Sequence, residues 1–356
     1  MPIIPLYGHE QLKGRLANAV ERGSLPASLL FEGLRGVGKQ RLALWLAQTL
    51  VCSSTERPCG QCSHCRMATA LHHPDVHWIF PRPRLKDTDP TTEEVRQDYA
   101  EAIAERVAAG GLYAPAAGTE GIYVATIRAV VRIASMAPAM ARRKVVIIGD
   151  AERMVPQEGA DMAANAFLKL LEEPPADTTI ILTSSESGAL LPTIRSRVVA
   201  VRAGRLGDDT VRAFVENAQV ATWLRDQGLT GDADELVEQA AGAPGALLAL
   251  AGAQEAMDQA RRLLRAATSP DGGARYRAAF AQGGSRARGG FSETLSALEI
   301  LLHDRAQSAA LAGDTRQALG AARAVAIVER TRELASGNVN PQLLGAALLR
   351  DLERLL

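Results

Sequence analysis

The sequence lacks a net charge. Its 356 residues include 40 lysines and arginines and 40 aspartates and glutamates, which cancel at neutral pH. A protein that coats nucleic acid on its own needs an excess of positive charge, because lysine and arginine supply most of the affinity for phosphates. The balance argues against that class of protein and leaves room only for a local basic face.

Long apolar runs and the marks of a secretion signal are also missing. No run approaches the roughly 20 apolar residues that a membrane-spanning helix needs. Residues 1–5 lack the basic and apolar regions of a signal peptide. We therefore expect a cytoplasmic protein, and its length predicts two or three domains.

Cysteine is scarce, and all four cysteines lie within one short segment: Cys52, Cys59, Cys62 and Cys65. In a reducing compartment such a cluster indicates a metal site before it indicates disulfides. Two overlapping C-x-x-C steps form a knuckle, and Cys52 can complete a tetrahedron from the end of the preceding helix. Four thiolates leave no position for water or substrate, so we predict a structural zinc ion. Free or redox-active thiols are the alternative.

A glycine-rich stretch, GLRGVGKQ at residues 33–40, organises the N-terminal half of the chain. It follows an apolar run at residues 28–31 and precedes a helical pattern at residues 41–50, as expected for a strand, a phosphate-binding loop and a helix. The residues that would hold a nucleotide are Gly33, Gly36, Gly38, Lys39 and Gln40.

The last of these residues departs from the motif. A serine or threonine normally follows the lysine, because its hydroxyl binds magnesium. Gln40 is bulkier and a poor substitute for that ligand. ATP or ADP bound in the loop and an empty loop are both compatible with this sequence.

A second departure follows the apolar run at residues 145–148. In a P-loop ATPase, the end of this strand carries an aspartate that binds magnesium and a glutamate that positions water. Here the chain has Gly149, with Asp150 and Glu152 as the next acids. The acids are present but out of register with this pattern, which indicates an impaired site. A strand followed by a solvated turn is an equally good explanation.

Strands alternating with helices predict a parallel α/β sheet with a ligand crevice at the strand ends. After Gly204 the sequence changes to short helical segments, and then to longer alanine-rich ones. We predict an α/β P-loop domain, a small helical lid and an all-α C-terminal domain. Their ranges are residues 1–204, 205–254 and 255–356, with the cysteine module at 52–65 and a surface insertion at 82–121.

Several motifs together resemble a known family. They are the phosphate-loop residues 33–39, the four cysteines, the segment 165–175 with its LLEEPP core, Arg195-Ser196-Arg197, and the segment 338–344. The chain resembles the delta-prime family of bacterial DNA polymerase III clamp-loader subunits, which are AAA+ relatives of the motor subunits gamma and tau. The resemblance covers nearly the whole chain except the 82–121 insertion.

The resemblance implies an AAA+ module without ATPase activity of its own. Motor subunits carry serine or threonine after the loop lysine, an Asp-Glu pair after the strand, and a sensor arginine in the lid. This chain has Gln40, Gly149-Asp150 and Gly245 at those places. The family's Ser-Arg-Cys motif is kept as Ser196-Arg197, with Val198 in place of the cysteine.

The resemblance also implies a function. Arg197, beside Ser196, would act as an arginine finger in the ATP site of a neighbouring motor subunit. The implied partners are the gamma/tau motor subunits, the delta subunit, the sliding clamp, and primer-template DNA through the assembled complex of the DNA polymerase III holoenzyme. A simple salt bridge is the alternative role for Arg197. Alternatives for the whole chain are an active gamma/tau-type ATPase and a zinc-dependent DNA-binding module with a vestigial P-loop.

Overall fold

The computed structural model describes residues 3–85, 87, 89–113, 120–154, 161–282, 288–335 and 339–356. Parts of the predicted insertion, of the loop at 282–290 and of the 338–344 motif lie outside these residues. The chain forms two compact units. The first contains the residues up to Ala249 other than two short segments of the insertion, and the main part of the second is Leu250–Leu356.

A parallel sheet forms the centre of the first unit. Its five strands lie in the order β2-β3-β4-β1-β5, and every neighbouring pair is parallel. The strands are β1 (Ser28–Glu32), β2 (Val76–Ile79), β3 (Lys144–Ile148), β4 (Thr178–Ser184) and β5 (Val199–Arg202). The three central strands β1, β3 and β4 are almost entirely buried, as their continuous runs of apolar residues predict. The predicted α/β sheet is therefore confirmed.

Helices connect these strands. They are α1 (Glu10–Glu21), α2 (Lys39–Val51), α3 (Ser63–Thr69), α4 (Thr92–Ala108), α5 (Val124–Ser135), α6 (Asp161–Glu172) and α7 (Pro192–Arg195). Short 3₁₀ turns occur at Ala151–Arg153 and Ser187–Ala189. Helix α6 ends shortly before Pro174, because proline cannot continue the hydrogen-bond ladder.

The predicted lid contains three helices, α8 (Asp208–Val215), α9 (Ala218–Asp226) and α10 (Ala233–Ala240). Their apolar core is not built from the lid alone. Ile4 from the N-terminal segment and Leu112 from the insertion pack into it beside Val211 and Phe214. The lid therefore forms part of the first compact unit, and the three-domain division stays a prediction.

Helix α11 (Gly245–Ala267) runs without interruption through residues 254 and 255, where the predicted lid ends and the predicted C-terminal domain begins. The segment is rich in alanine, leucine, glutamine and arginine, which are strong helix formers and outweigh the single internal Gly252. The second unit continues with α12 (Gly272–Phe280), α13 (Arg288–Leu311), α14 (Thr315–Ala335) and α15 (Pro341–Glu353). An all-α C-terminal region is thus confirmed.

The insertion differs from the expected solvated surface element. Its helix α4 is present, but Val95, Tyr99 and Ala102 on one face are buried. The Tyr99 hydroxyl donates a hydrogen bond to the Phe80 carbonyl at 2.6 Å. The insertion is therefore attached to the end of β2 by a packed apolar face.

Among the described residues, no single helix combines the length and hydropathy needed to cross a membrane. The bent pair Ala233–Ala240 and Gly245–Ala267, with 98° between its helices, meets the length and composition criteria only when both are counted together.

Candidate functional site

The glycine-rich loop leaves the end of β1 in the conformation of a phosphate-binding loop. Gly36 and Gly38 have φ angles of 85° and 94°, in the left-handed region that favours glycine. At Gly33 a Cβ would lie only 3.2 Å from the Ala203 carbonyl carbon, so the backbone approach also requires glycine. The predicted strand, loop and helix are all in place.

Lys39 is buried, and its ammonium group bonds within the protein. It donates to the carbonyl oxygens of Gly33 and Leu34 at 2.9 and 2.8 Å, and to Ser185 Oγ at 2.8 Å. Burial lowers the pKa of Lys39 to about 8, against the opposing effect of the Asp150 and Glu152 carboxylates. Three donors are thus engaged by the chain itself.

Ser185 directly follows the end of β4. Besides accepting from Lys39, it donates its backbone N–H to Glu152 Oε1 at 3.0 Å. Ser185 therefore ties the loop lysine to the segment that follows β3.

Gln40 lies at the first turn of α2, in the place of the magnesium-binding hydroxyl. Its Nε2 donates to Asp150 Oδ2 at 3.1 Å, and its Oε1 accepts from Trp78 Nε1 at 2.9 Å. The Tyr113 hydroxyl approaches the same Oε1 at 3.5 Å. The carboxamide is fixed by groups from β2, the insertion and the end of β3.

Gly149 lies directly against this carboxamide. A Cβ at position 149 would be 2.5 Å from Gln40 Cδ, which is closer than real contacts allow. The next residue, Asp150, has a φ of 49°. Burial raises the pKa of the Asp150 carboxyl, and the Glu152 charge raises it further.

Gly245, at the predicted sensor position, lies against the loop. Its N–H donates to the Gly36 carbonyl at 2.9 Å, and a Cβ at 245 would be 2.7 Å from Gly36 Cα. An arginine side chain does not fit in this contact. The first residues of α11 therefore cover the phosphate loop.

An arginine and three aromatic rings lie behind Gln40. The Arg106 guanidinium lies over Phe80, Tyr113 and Trp78, with its central carbon 3.3, 3.8 and 4.5 Å from the ring centroids. Cation–π attraction stabilises this stack. Sequence reasoning missed these residues, because nothing in the pattern of the insertion indicates that α4 returns to the phosphate loop.

Arg197 lies near the amino-terminal ends of the parallel strands, at the opposite end of the sheet from the phosphate loop. It precedes β5, whose first residue Val199 pairs with Leu29 near the start of β1. The phosphate loop begins after Glu32, at the far end of the same strand. Because a strand rises about 3.3 Å per residue, the three steps from Leu29 to Glu32 separate these two ends of the sheet by roughly 10 Å along the strands.

The Arg197 side chain is held by its own neighbourhood. Nη2 lies 2.5 Å from Glu172 Oε1 at the end of α6, and Nη1 donates to the Thr193 carbonyl at 2.8 Å. Ser196 Oγ also lies 3.3 Å from Nη1. Glu172 belongs to the LLEEPP segment, but no sequence pattern indicates that it pairs with Arg197.

The four cysteines come together as the spacing predicts. Their sulfur atoms all lie within 4.8 Å of one another. The individual distances from Cys52 to Cys59, from Cys52 to Cys62 and from Cys59 to Cys65 are 3.6, 3.9 and 3.9 Å. A tetrahedral zinc ion with Zn–S bonds of about 2.3 Å requires sulfur atoms about 3.8 Å apart. The cluster can therefore hold a metal ion and is compatible with zinc.

The parallel sheet, the phosphate loop after β1 and the helical lid that touches this loop define an AAA+-type P-loop module. The residue after its loop lysine, where the motif has a magnesium-binding hydroxyl, is Gln40.

A family model described as DNA polymerase III, delta subunit, matches residues 8–206. The chain belongs to this family, as the motif resemblance predicted.

Individual relatives agree with this assignment. DNA polymerase III subunit delta' of Haemophilus influenzae is 27% identical over 266 residues, which cover 74% of this chain and 64% of the relative. DNA polymerase III subunit tau of Salmonella typhimurium is 28% identical over 216 residues, covering 60% of this chain and 27% of the relative. The chain thus spans less than two thirds of the length of these relatives.

Among solved structures, a DNA polymerase III gamma subunit-related protein from Thermotoga maritima superposes with a TM-score of 0.44. It is 17% identical, and the match covers 96% of this chain and 99% of that chain.

Proposed function

We propose that this chain is a subunit of the DNA polymerase III clamp loader that does not hydrolyse ATP itself and completes the ATP site of a neighbouring motor subunit with Arg197. The observation that carries the proposal is the position of Arg197 at the opposite end of the strands from its own phosphate loop. Because Arg197 precedes β5 at the opposite end of the strands from the loop, and its guanidinium contacts Glu172, it would serve a nucleotide outside this chain.

The absence of hydrolysis is supported by three positions around the loop. Gln40 replaces the magnesium-binding hydroxyl, Gly149 replaces the magnesium-binding acid, and Gly245 replaces a sensor arginine. Phosphoryl transfer depends on the cation to neutralise the developing charge. Without its ligands, the site lacks the group that does this.

The finger role is supported by the chemistry of Arg197. A guanidinium offers several N–H donors in a rigid fork that fits phosphate oxygens. The Thr193 and Ser196 contacts orient it, while Glu172 balances its charge in the free chain. Stabilisation of the transferring phosphoryl group by such a finger is worth about 10³–10⁵ in rate.

We further propose the partners and the metal. The partners are gamma/tau motor subunits and a delta subunit, and the assembled complex acts on the sliding clamp and primer-template DNA. Cys52, Cys59, Cys62 and Cys65 would hold one structural zinc ion. That ion would fix the knuckle at residues 59–65 to the end of α2 and would take no part in chemistry, since no coordination position is left for a substrate.

The deciding experiment reconstitutes the chain with its motor partners and measures DNA-stimulated ATP turnover. Arg197→Ala should abolish turnover at the site it completes while the complex still assembles. Arg195→Ala is the matched control, because Arg195 is exposed two residues earlier on the same segment. Unchanged turnover with Arg197→Ala, or an equal loss with Arg195→Ala, would refute the finger assignment.

The two alternative functions make different predictions. An active gamma/tau-type ATPase would hydrolyse ATP as the purified chain and lose this activity in Lys39→Ala. A zinc-dependent DNA-binding module would bind primer-template DNA without partners and lose binding when the cysteines are replaced. The balanced charge of the chain disfavours the second alternative.

A further inference from the structure

We propose that Gln40 and Gly149 are a matched pair that excludes a divalent cation from the phosphate loop, so that only their joint exchange reopens the cation site. The inference is independent of the role of Arg197. The Gln40 side chain itself fills the site, in addition to replacing the motif's hydroxyl.

The Gln40 side chain extends over two positions that would hold cation ligands. Gln40 follows the loop lysine, where a hydroxyl would bind magnesium, and its side chain extends to the end of β3. There it lies over Gly149, at the place from which an acidic side chain would reach the cation. One side chain thus covers both ligand positions.

Both the oxygen and the nitrogen of this carboxamide are hydrogen-bonded within the chain. Its oxygen accepts from Trp78 Nε1 and its nitrogen donates to Asp150 Oδ2. A divalent cation needs oxygen ligands on several sides and holds its waters tightly. In this chain, Gln40 Nε2 and Asp150 Oδ2 lie beside the cation position and already bond to each other.

The backbone conformation of Gly149 does not itself require glycine. Its φ lies outside the left-handed region, so an L-residue fits the backbone there. The three atoms nearest to a Cβ at this position all belong to Gln40, with Oε1, Cδ and Nε2 within 2.8 Å of it. The far end of a glutamine can normally rotate away, but this one is held by Trp78 and Asp150.

Positively charged side chains also lie on both sides of the carboxamide. Behind the carboxamide, the Arg106 guanidinium lies 3.8 Å from the centroid of the Tyr113 ring, whose hydroxyl contacts Gln40. Lys39 lies on the loop side. Two fixed cations, the Lys39 ammonium and the Arg106 guanidinium, therefore lie on either side of the carboxamide and oppose the attraction that the Asp150 and Glu152 carboxylates exert on a divalent cation.

The packing half of the proposal is tested by thermal unfolding of four proteins: wild type, Gly149→Ala, Gln40→Ala and the double variant. Gly149→Ala should lower the unfolding midpoint by roughly 2–4 °C, because the displaced carboxamide loses buried hydrogen bonds. In the Gln40→Ala background the same substitution should cost nothing measurable. Gly204→Ala is the control, since a Cβ there meets no atom within 4 Å. Equal cost of Gly149→Ala in both backgrounds would overturn the pairing.

The cation half is tested with Mn²⁺ as a paramagnetic probe in the presence of ADP. Wild type, Gln40→Thr, Gly149→Asp and the double variant are compared by electron paramagnetic resonance, with circular dichroism to establish folding. The double variant should bind Mn²⁺ at least about 10-fold more tightly than the other three, which corresponds to about 1.4 kcal/mol.

Each other result contradicts the proposal. Tight Mn²⁺ binding by wild type would mean that the position is open. Equal binding by Gln40→Thr and the double variant would mean that Gly149 plays no part. A folded double variant that fails to bind Mn²⁺ would mean that these two residues are not what excludes the cation.

Discussion

Arg197 Nη2 lies 2.5 Å from Glu172 Oε1 of the same chain, and this pair is only partly exposed. To serve a neighbouring nucleotide, the guanidinium must leave this carboxylate. Glu172→Gln keeps an oxygen acceptor and removes the competing charge. In the reconstituted complex, we expect the concentration of ATP at half-maximal turnover to fall by a small factor, about 2–5, in keeping with the modest strength of exposed ion pairs.

The control for this prediction is Glu173→Gln, the adjacent exposed acid. It should leave the ATP dependence unchanged. A rise in the half-saturating ATP concentration with Glu172→Gln would mean that Glu172 helps to position the finger and does not restrain it.

Arg106 is expected to stabilise the packing of the insertion. Arg106→Lys replaces a planar guanidinium stacked on three rings by a compact ammonium, and should lower the free energy of unfolding by about 1 kcal/mol. Urea unfolding of the purified chain measures this loss. Arg96→Lys on the exposed face of the same helix should cost little, because its i,i+3 pair with Glu93 is solvated; equal losses in the two variants would exclude a special role for the stack.

Zinc content tests the cysteine cluster. Protein purified without added zinc should contain about one equivalent, and a thiol-reactive mercurial should release it together with a loss of stability. Cys65→Ser should contain no zinc, whereas Ser63→Ala in the same knuckle should keep it. Metal-free protein with four freely alkylated thiols would instead support the reading of free or redox-active cysteines.

His77 predicts a specific pH dependence. Burial lowers its pKa to about 4, and the nearby Lys144 charge acts in the same direction. An unfolded histidine titrates near 6.5. Between these values the unfolded chain takes up a proton that the folded chain refuses, so stability is kept above pH 6.5 and falls as the pH decreases towards 4.

The size of this effect is about 1–3 kcal/mol for a shift of this order. Urea unfolding at pH 7 and pH 5 should show that His77→Gln loses less stability between the two pH values than wild type does. His72→Gln, at an exposed position, serves as the control. An identical pH dependence in wild type and His77→Gln would contradict the prediction.

The central sheet and the phosphate loop were predictable because their signals are local. Apolar runs identify the buried strands, and the glycines at 33, 36 and 38 define the loop geometry. The cysteine spacing likewise predicts the cluster. In each case the residues that cooperate are close in sequence or belong to a motif with one known geometry.

The environment of Gln40 was not predictable in the same way. Its partners Trp78, Tyr113 and Asp150 come from three separate segments, and no periodicity connects them. The insertion helix was expected to be solvated because it is rich in charge, and only the structure reveals its buried face at Val95 and Tyr99. The position of Gly245 was identified from the motif, but its contact with Gly36 depends on the fold of the whole lid.

The contact between Gly36 and Gly245 has a thermodynamic consequence. When a free ligand joins a lid to a loop, the stability of the closed form rises with ligand concentration by mass action. Here a backbone hydrogen bond of 2.9 Å joins α11 to the loop, and no free concentration enters the equilibrium. The contact between the lid and the loop should therefore not depend on the concentration of a bridging ligand.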